Sequence, residues 1–365
     1  SAQSISITPK TTYTGAGSLT ATSGTLTISG GSSITPTGNF QAAGDITLSG
    51  SGQALIVGRT INSTSGSITI TAGPTAATAI DLQSSTLTSG SQAITLSGAS
   101  SGADPGVRIR VSSTVQTNSG DIVIAGIGTS GWGAFFDAAN ILSTSGDISV
   151  DGGVRGIVTG HQNTTNFGAI SGTTASGDIT ILGDQHWDSS TRTNYTTTGH
   201  VVLNSKASNY TAAPTYNNHT FTGAASVTIG SLSAAHMLTV DVDGTIAGPL
   251  SVMGQYVNFD AGTDITTNLG AASSGPRSIG ILAKATDRIH LSSGADLTSS
   301  GSDIVLWSDS DNSGLGSIHF AGSNILKSNG GRISIAGGLD DGGSVNTEFV
   351  NRSAGDGHPD NYAAG

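Results

Sequence analysis

The stretch ILSTSGDISV, Ile141–Val150, returns along the chain in near-copies: VQTNSGDIVI from Val115, TTASGDITIL from Thr173 and ILKSNGGRISI from Ile325. The glycine at the centre of the motif falls at positions 24, 44, 66, 90, 120, 146, 177 and 199, and continues at 301 and 330. The separations drift between 20 and 31 residues. A motif that stays constant while its spacing drifts excludes most repeat architectures. A propeller blade takes four strands and about 40–45 residues. A sandwich needs no sequence repeat. A parallel β-helix needs one coil of roughly 20 or more residues, and surplus residues can leave as loops.

One such coil can be drawn over residues 107–126, with VRIRVSS, TVQTN and SGDIVIAG as three short strands. The next reads WGAFFDAAN, ILSTS and GDISVDGG, and GSIHFAG, SNILKSN and GGRISIAGG repeat the trio later. Alternation places Ile148 and Val150 on one face of their strand and Asp147 and Ser149 on the other. The inward pair is expected to stack on Ile122 and Ile124 in one neighbouring coil and on Ile179 and Ile181 in the other. The fold class expected is all-β, a right-handed parallel β-helix of roughly 15 coils around a thin aliphatic column. The corner glycine is expected at positive φ, which glycine adopts without steric cost. The Asp that often follows is expected to bond backbone N–H groups at the corner.

Composition supports strands over helices. Gly is 54 of 365 residues, charged residues are 10% and Glu occurs once, at Glu348. Strong helix formers are scarce, whereas Thr, Val and Ile suit strands. A Gly/Ser/Thr-rich chain could be disordered, but regular apolar alternation argues against that. The net charge of −11 and the scattered 13 Lys+Arg exclude a basic surface for nucleic acid or anionic lipid. There is no Cys, so neither disulfides nor thiol chemistry enter. No apolar run approaches the ~20 residues of a membrane-spanning helix. The opening SAQSISITPK reads as the start of a mature or excised segment rather than a signal peptide.

The alternation weakens over 184–225, read as a loop-rich insertion with longer loops in an otherwise single β-solenoid domain, 1–365. Strands return over 226–299, and 340–365 reads as an incomplete last coil.

The S-G-D-I-x-I-x-G coils with ILSTS-type lead-ins, at Ile141–Gly152 and Ser119–Gly126, resemble the filamentous-haemagglutinin-like repeats of large exported bacterial adhesins. The segment IVLWSDSDNSGLGSIHFAG, Ile304–Gly322, is similar to repeats of that group. The resemblance covers about two-thirds of the chain and leaves 184–225 outside it. It implies a right-handed β-helix, secretion, and attachment at a cell surface or extracellular matrix. It implies as partners surface glycans, matrix components or like subunits in a fibre. The secretion domain of such adhesins carries an N-P-N-type motif near its mature N-terminus, and this chain has none. An internal or terminal piece of a longer polypeptide, or a stand-alone solenoid, is therefore expected.

Two segments could carry chemistry. DSDNSG places oxygens at Asp309, Asp311 and Ser313 with the opening spacing of a calcium loop, but Phe320 stands where the bidentate acid belongs. Calcium is the candidate cofactor there, against a plain Asp/Ser turn. DVDG, Asp241–Gly244, and LDDGG, Leu339–Gly343, are weaker versions. The second segment is DQHWD. Trp187 could stack on a sugar while Asp184, Asp188 and Arg192 hold its hydroxyls, with His186 and Tyr195 in the same glycan-binding set, and the two carboxylates and the His could alternatively do acid–base work. The plain alternative is a loop whose Trp packs on the flank. GWGAFF, Gly131–Phe136, reads as core stacking plus a loop Trp, and the other histidines, His161 among them, as scattered surface or turn residues.

No nucleophile, zinc-protease or P-loop motif occurs. The expected function is a non-enzymatic structural and adhesive module. The alternatives are a β-helix polysaccharide-binding or -cleaving protein (a lyase or glycoside hydrolase) and, as a minor reading, an ice-binding solenoid. The Thr-x-Thr pairs at Thr25–Thr27, Thr69–Thr71 and Thr86–Thr88 suggest the last, while the drifting spacing argues against the uniform rungs it needs.

Overall fold

In the computed structural model, the described residues are 2–337 apart from 16, 76, 171–172, 189–190, 208, 233–235, 271–277, 312 and 314–315. The expected incomplete coil 340–365 and the LDDGG segment lie outside the described residues. The regular elements of the described residues are parallel β-strands, with one 3₁₀ turn at Gly153–Arg155. No helix among the described residues is long and apolar enough to cross a membrane. The chain divides into two compact units, Ser1–Gly199 and His200–Gly365.

The first unit winds eight coils, each contributing a strand to three ladders. The coil expected over 107–126 is present as strands Val107–Arg110, Thr114–Thr117 and Ile122–Gly128. The next runs Ala134–Asp137, Asn140–Ser143 and Ile148–Asp151. Ile148 and Val150 pair with Ile122 and Ile124 on one side and with Ile179 and Ile181 on the other, and all six are buried. The drift in spacing is absorbed at corners. Residues 101–106 and 169–178 carry the two largest excesses, and the strands on either side of them keep register. The rungs are therefore uniform. Thr27, Thr47, Thr69 and Thr95 form one outward column, and Ser29, Ser49, Thr71 and Ser97 the next. The loops also lengthen each coil, so the turns are fewer than the roughly 15 expected.

Two expectations about the motif need correction. Glycines 44, 66, 90, 120, 146 and 177 are not among the positive-φ residues. A Cβ at Gly146 would instead collide with the carbonyl of Gly120, and one at Gly177 with that of Gly146. Coils close on one another there, and only a residue without a side chain fits. The Asp of the motif bonds between coils rather than within its own turn. Asp121 accepts the Asp147 N–H at 2.9 Å, and Asp147 accepts the Asp178 N–H at 2.8 Å.

The lead-in carries its own device. Ser143 is buried, and its hydroxyl accepts the Gly146 N–H at 2.9 Å while donating to the Gly120 carbonyl at 3.2 Å. Ser63 does the same for Gly66 and Gly44, and Thr117 for Gly120 and Gln92. Each hydroxyl satisfies a buried corner N–H that no ladder reaches. The column is not purely aliphatic either. Phe136, Phe167 and Tyr195 stack inside three successive coils, at 5.4 Å and 5.6 Å between centroids.

In the second unit one ladder joins His200–Asn204, Ser226–Gly230, the first halves of Leu250–Phe259 and Ile279–Leu291, then Asp303–Ser308 and Ile333–Gly337. Several strands turn a corner without ending. Met237–Ile246 pairs through residues 237–240 with 256–259 and through 243–246 with 264–267. The segment 184–225, expected as loops, holds strands at His186–Asp188, Thr193–Thr196, His200–Asn204 and Thr215–Thr222.

Candidate functional site

The second ladder of the first unit has an unusual outer face. Its strand Ala134–Asp137 turns Ala134 and Phe136 inward, both fully buried, which leaves Phe135 facing out. Register carries that column upward from Phe135 through Val158 to Trp187. Val158 is an outward residue with no exposure at all. Aromatic rings gather around it. His161 lies 5.2 Å from Phe135 and 5.6 Å from Trp187, and Trp132 stacks nearly parallel on Trp187 at 6.4 Å and 16°. Trp187 remains 42% exposed.

Local structure holds these rings in place. Trp132 precedes its strand in the turn that ends at Gly133. His161 sits in the corner 160–164, where Asp137 accepts the N–H groups of Gln162 at 3.1 Å and Asn163 at 2.8 Å. His161 Nδ1 is screened from solvent and has no hydrogen-bond partner.

Below Phe135 the same column continues through Arg108 to Asp81. Arg108 donates to both oxygens of buried Asp81, at 3.2 and 2.6 Å, and Arg110 and Gln83 reach one of them at 3.4 and 2.8 Å. A two-pronged guanidinium–carboxylate contact with further donors fixes both partners firmly. The outcome is one outward strip, charged at Asp81–Arg108 and aromatic from Phe135 to Trp187. On the third ladder of the same coils, Asn140, Leu142, Asn166, Ile170 and Thr196 line a groove of about 380 Å³. Its edge is an amide ladder, in which Asn194 donates to Asn166 and Asn166 to Asn140, both at 2.8 Å. A flat aromatic face can stack on a sugar ring, and an amide can hydrogen-bond one.

The sugar-binding set expected from DQHWD is not brought together. Asp184, His186 and Tyr195 are buried, and Tyr195 belongs to the aromatic stack of the core. Arg192 is exposed in the turn before the third-ladder strand. Asp188 pairs in register with Thr159, and its side chain lies outside the described residues. Of this set, Trp187 faces the aromatic strip. Alternation explains the split, since neighbouring residues of a strand go to opposite faces.

Trp132, Phe135 and His161 join Trp187 here, although the sequence reads the first two as core stacking plus a loop Trp and His161 as a surface or turn residue. The signal was available: AFFD, IVT and HWD occupy the same place in successive coils, which aligns Phe135 with Trp187.

At the acidic loop, Ser313 donates its hydroxyl to Asp309 at 3.1 Å and its N–H to Asp311 at 3.3 Å. These are the bonds of a closed Asp/Ser turn. Gly314 lies outside the described residues. Among the described residues no three His, Asp or Glu side chains gather in a metal-binding group. Asp241–Gly244 is not a loop but lies within the strand Met237–Ile246.

No family model, no curated protein and no solved structure matches the chain.

Proposed function

We propose that this chain is a non-enzymatic structural and adhesive module, and that the strip from Asp81 to Trp187 is its glycan-binding face. The observation that carries the reading is the Trp132–Trp187 pair with His161, in which Trp187 is exposed, built on in-register strands. A ladder that repeats its register through eight coils is a stiff support for such a face. The finer reading places the module in a secreted or cell-surface bacterial adhesin or fibre of the filamentous-haemagglutinin-like kind. Its winding is then right-handed, as parallel strand crossovers nearly always are.

The test is a glycan array probed with the full chain and with Trp187→Ala and Trp132→Ala. The reading expects at least one surface glycan to be retained, with each variant weaker by about tenfold or more. No retained glycan, or variants that bind like the parent, would overturn it. Turnover on a panel of acidic polysaccharides would favour the cleaving alternative.

A second reading, ice binding, draws on a specific observation: the in-register columns Thr27–Thr47–Thr69–Thr95 and Ser29–Ser49–Thr71–Ser97. The drifting motif spacing does not disturb these rungs. A thermal-hysteresis measurement decides this reading, and its absence removes it.

A further inference from the structure

The second unit places two histidines in one outward column. Leu250–Phe259, Ile279–Leu291 and Ser317–Phe320 pair so that Asn258, His290 and His319 align across three coils. Val257, Phe259, Ile289 and Leu291 are buried between them along the strands, so the column faces out. The imidazoles of His290 and His319 stand 4.8 Å apart at 67°. The Tyr256 hydroxyl lies 3.2 Å from His290 Nδ1, and the Arg288 guanidinium sits over the Tyr256 ring at 5.3 Å. His290 Nε2 is screened from solvent and has no hydrogen-bond partner.

We propose that His290 and His319 form a two-imidazole site for a borderline divalent transition-metal ion such as zinc or copper. Neutral imidazole nitrogen is a preferred ligand for these ions. Rings on adjacent strands in one column can aim a nitrogen each at a shared point with a small side-chain rotation. Tyr256 supplies the usual outer partner. When His290 Nδ1–H donates to the Tyr256 oxygen, Nε2 is left with the lone pair that a metal takes. An ion there would also satisfy the ring nitrogen that has no partner. No third His, Asp or Glu completes the set among the described residues. The remaining coordination positions are therefore open to water or to a carboxylate from outside. This inference does not rest on the glycan reading, since no residue is shared.

The experiment is a calorimetric titration of the full chain with zinc, and separately with copper(II). One site is expected whose affinity His290→Gln and His319→Gln each reduce to the level of scattered surface histidines. Tyr256→Phe should weaken it by about tenfold, the effect of losing an outer-shell partner. Copper(II) spin resonance of the unmodified chain should show two nitrogen ligands, a readout that needs no variant to fold. No uptake, a single-nitrogen spectrum, or uptake unchanged in both His variants overturns the site.

Discussion

The corner glycines of the two units answer to two physical constraints, one shared and one added in the second. In the first, Gly146 has an ordinary backbone conformation and is fixed from outside, because the carbonyl of Gly120 occupies the space of a side chain. In the second, Gly330 has φ +112 and a Cβ there would meet nothing within 4 Å, so it is fixed by its own backbone, while Gly331 beside it is held like Gly146, with the Ser302 carbonyl in the space of a side chain. Strand design differs in parallel. The first unit breaks each coil into three short strands, while the second runs strands such as Ile279–Leu291 through a corner. One sequence signature therefore marks a corner without saying which constraint shapes it. Tight stacking in the first unit leaves no room at the corner. The second unit keeps that closeness at Gly331 and adds, at Gly330, a bend made by local torsion.

The largest expected effect tests what the units share. Ile148 and Ile289 are both fully or almost fully buried in their columns. Changing either to Asp should cost about 4 kcal/mol or more, since the apolar column offers a carboxylate no partner. Denaturant unfolding followed by circular dichroism measures this. A tolerated Asp at Ile289 alone would show that the second unit lacks the packed column of the first.

The next effect separates the two constraints. Gly146→Ala should destabilise by about 3 kcal/mol, because backbone of the neighbouring coil must move. Gly330→Ala should cost only about 1 kcal/mol, the strain of a left-handed conformation. Equal losses in the same unfolding measurement would erase the distinction drawn from the corners.

Much of this fold was legible because its rules are local. The trio over 107–126 follows from period-two alternation and turn residues, and the stacking of Ile148 on Ile122 follows from aligning motifs. What was not legible depends on the neighbouring coil. Nothing near Gly146 in sequence announces the Gly120 carbonyl, so positive φ was the natural but incorrect expectation. The site failed for a related reason. DQHWD is a cluster in sequence, but a strand sends His186 inward and Trp187 outward. The true neighbours of Trp187 are Trp132 and His161, from other coils. Coil-to-coil alignment was the missing step, and drifting loop lengths hid it.

The smallest expected effect concerns corner carboxylates, where the units differ again. Asp147 in the first unit accepts a backbone N–H from the next coil. Asp241 in the second is half-buried among other acids. Burial and the charges of Asp243 and Asp260 push its pKa up, against the Asn218 backbone N–H and His219, which pull it down. A raised pKa means that the folded chain holds this proton more tightly than the unfolded chain. Ionised Asp241 therefore opposes folding, fully so above its raised pKa and not at all well below the ordinary carboxylate value. Asp241→Asn keeps the acceptor for Asn218 and removes the charge. Its melting temperature should exceed that of the parent near neutral pH, with the gain shrinking to nothing as pH falls below about 4. Asp147→Asn should show no such gain, since it weakens a charge-assisted bond. Melting curves from pH 3 to 7 would check both, and an Asp241→Asn gain that stays constant with pH would mean that repulsion among these acids is not what strains that corner.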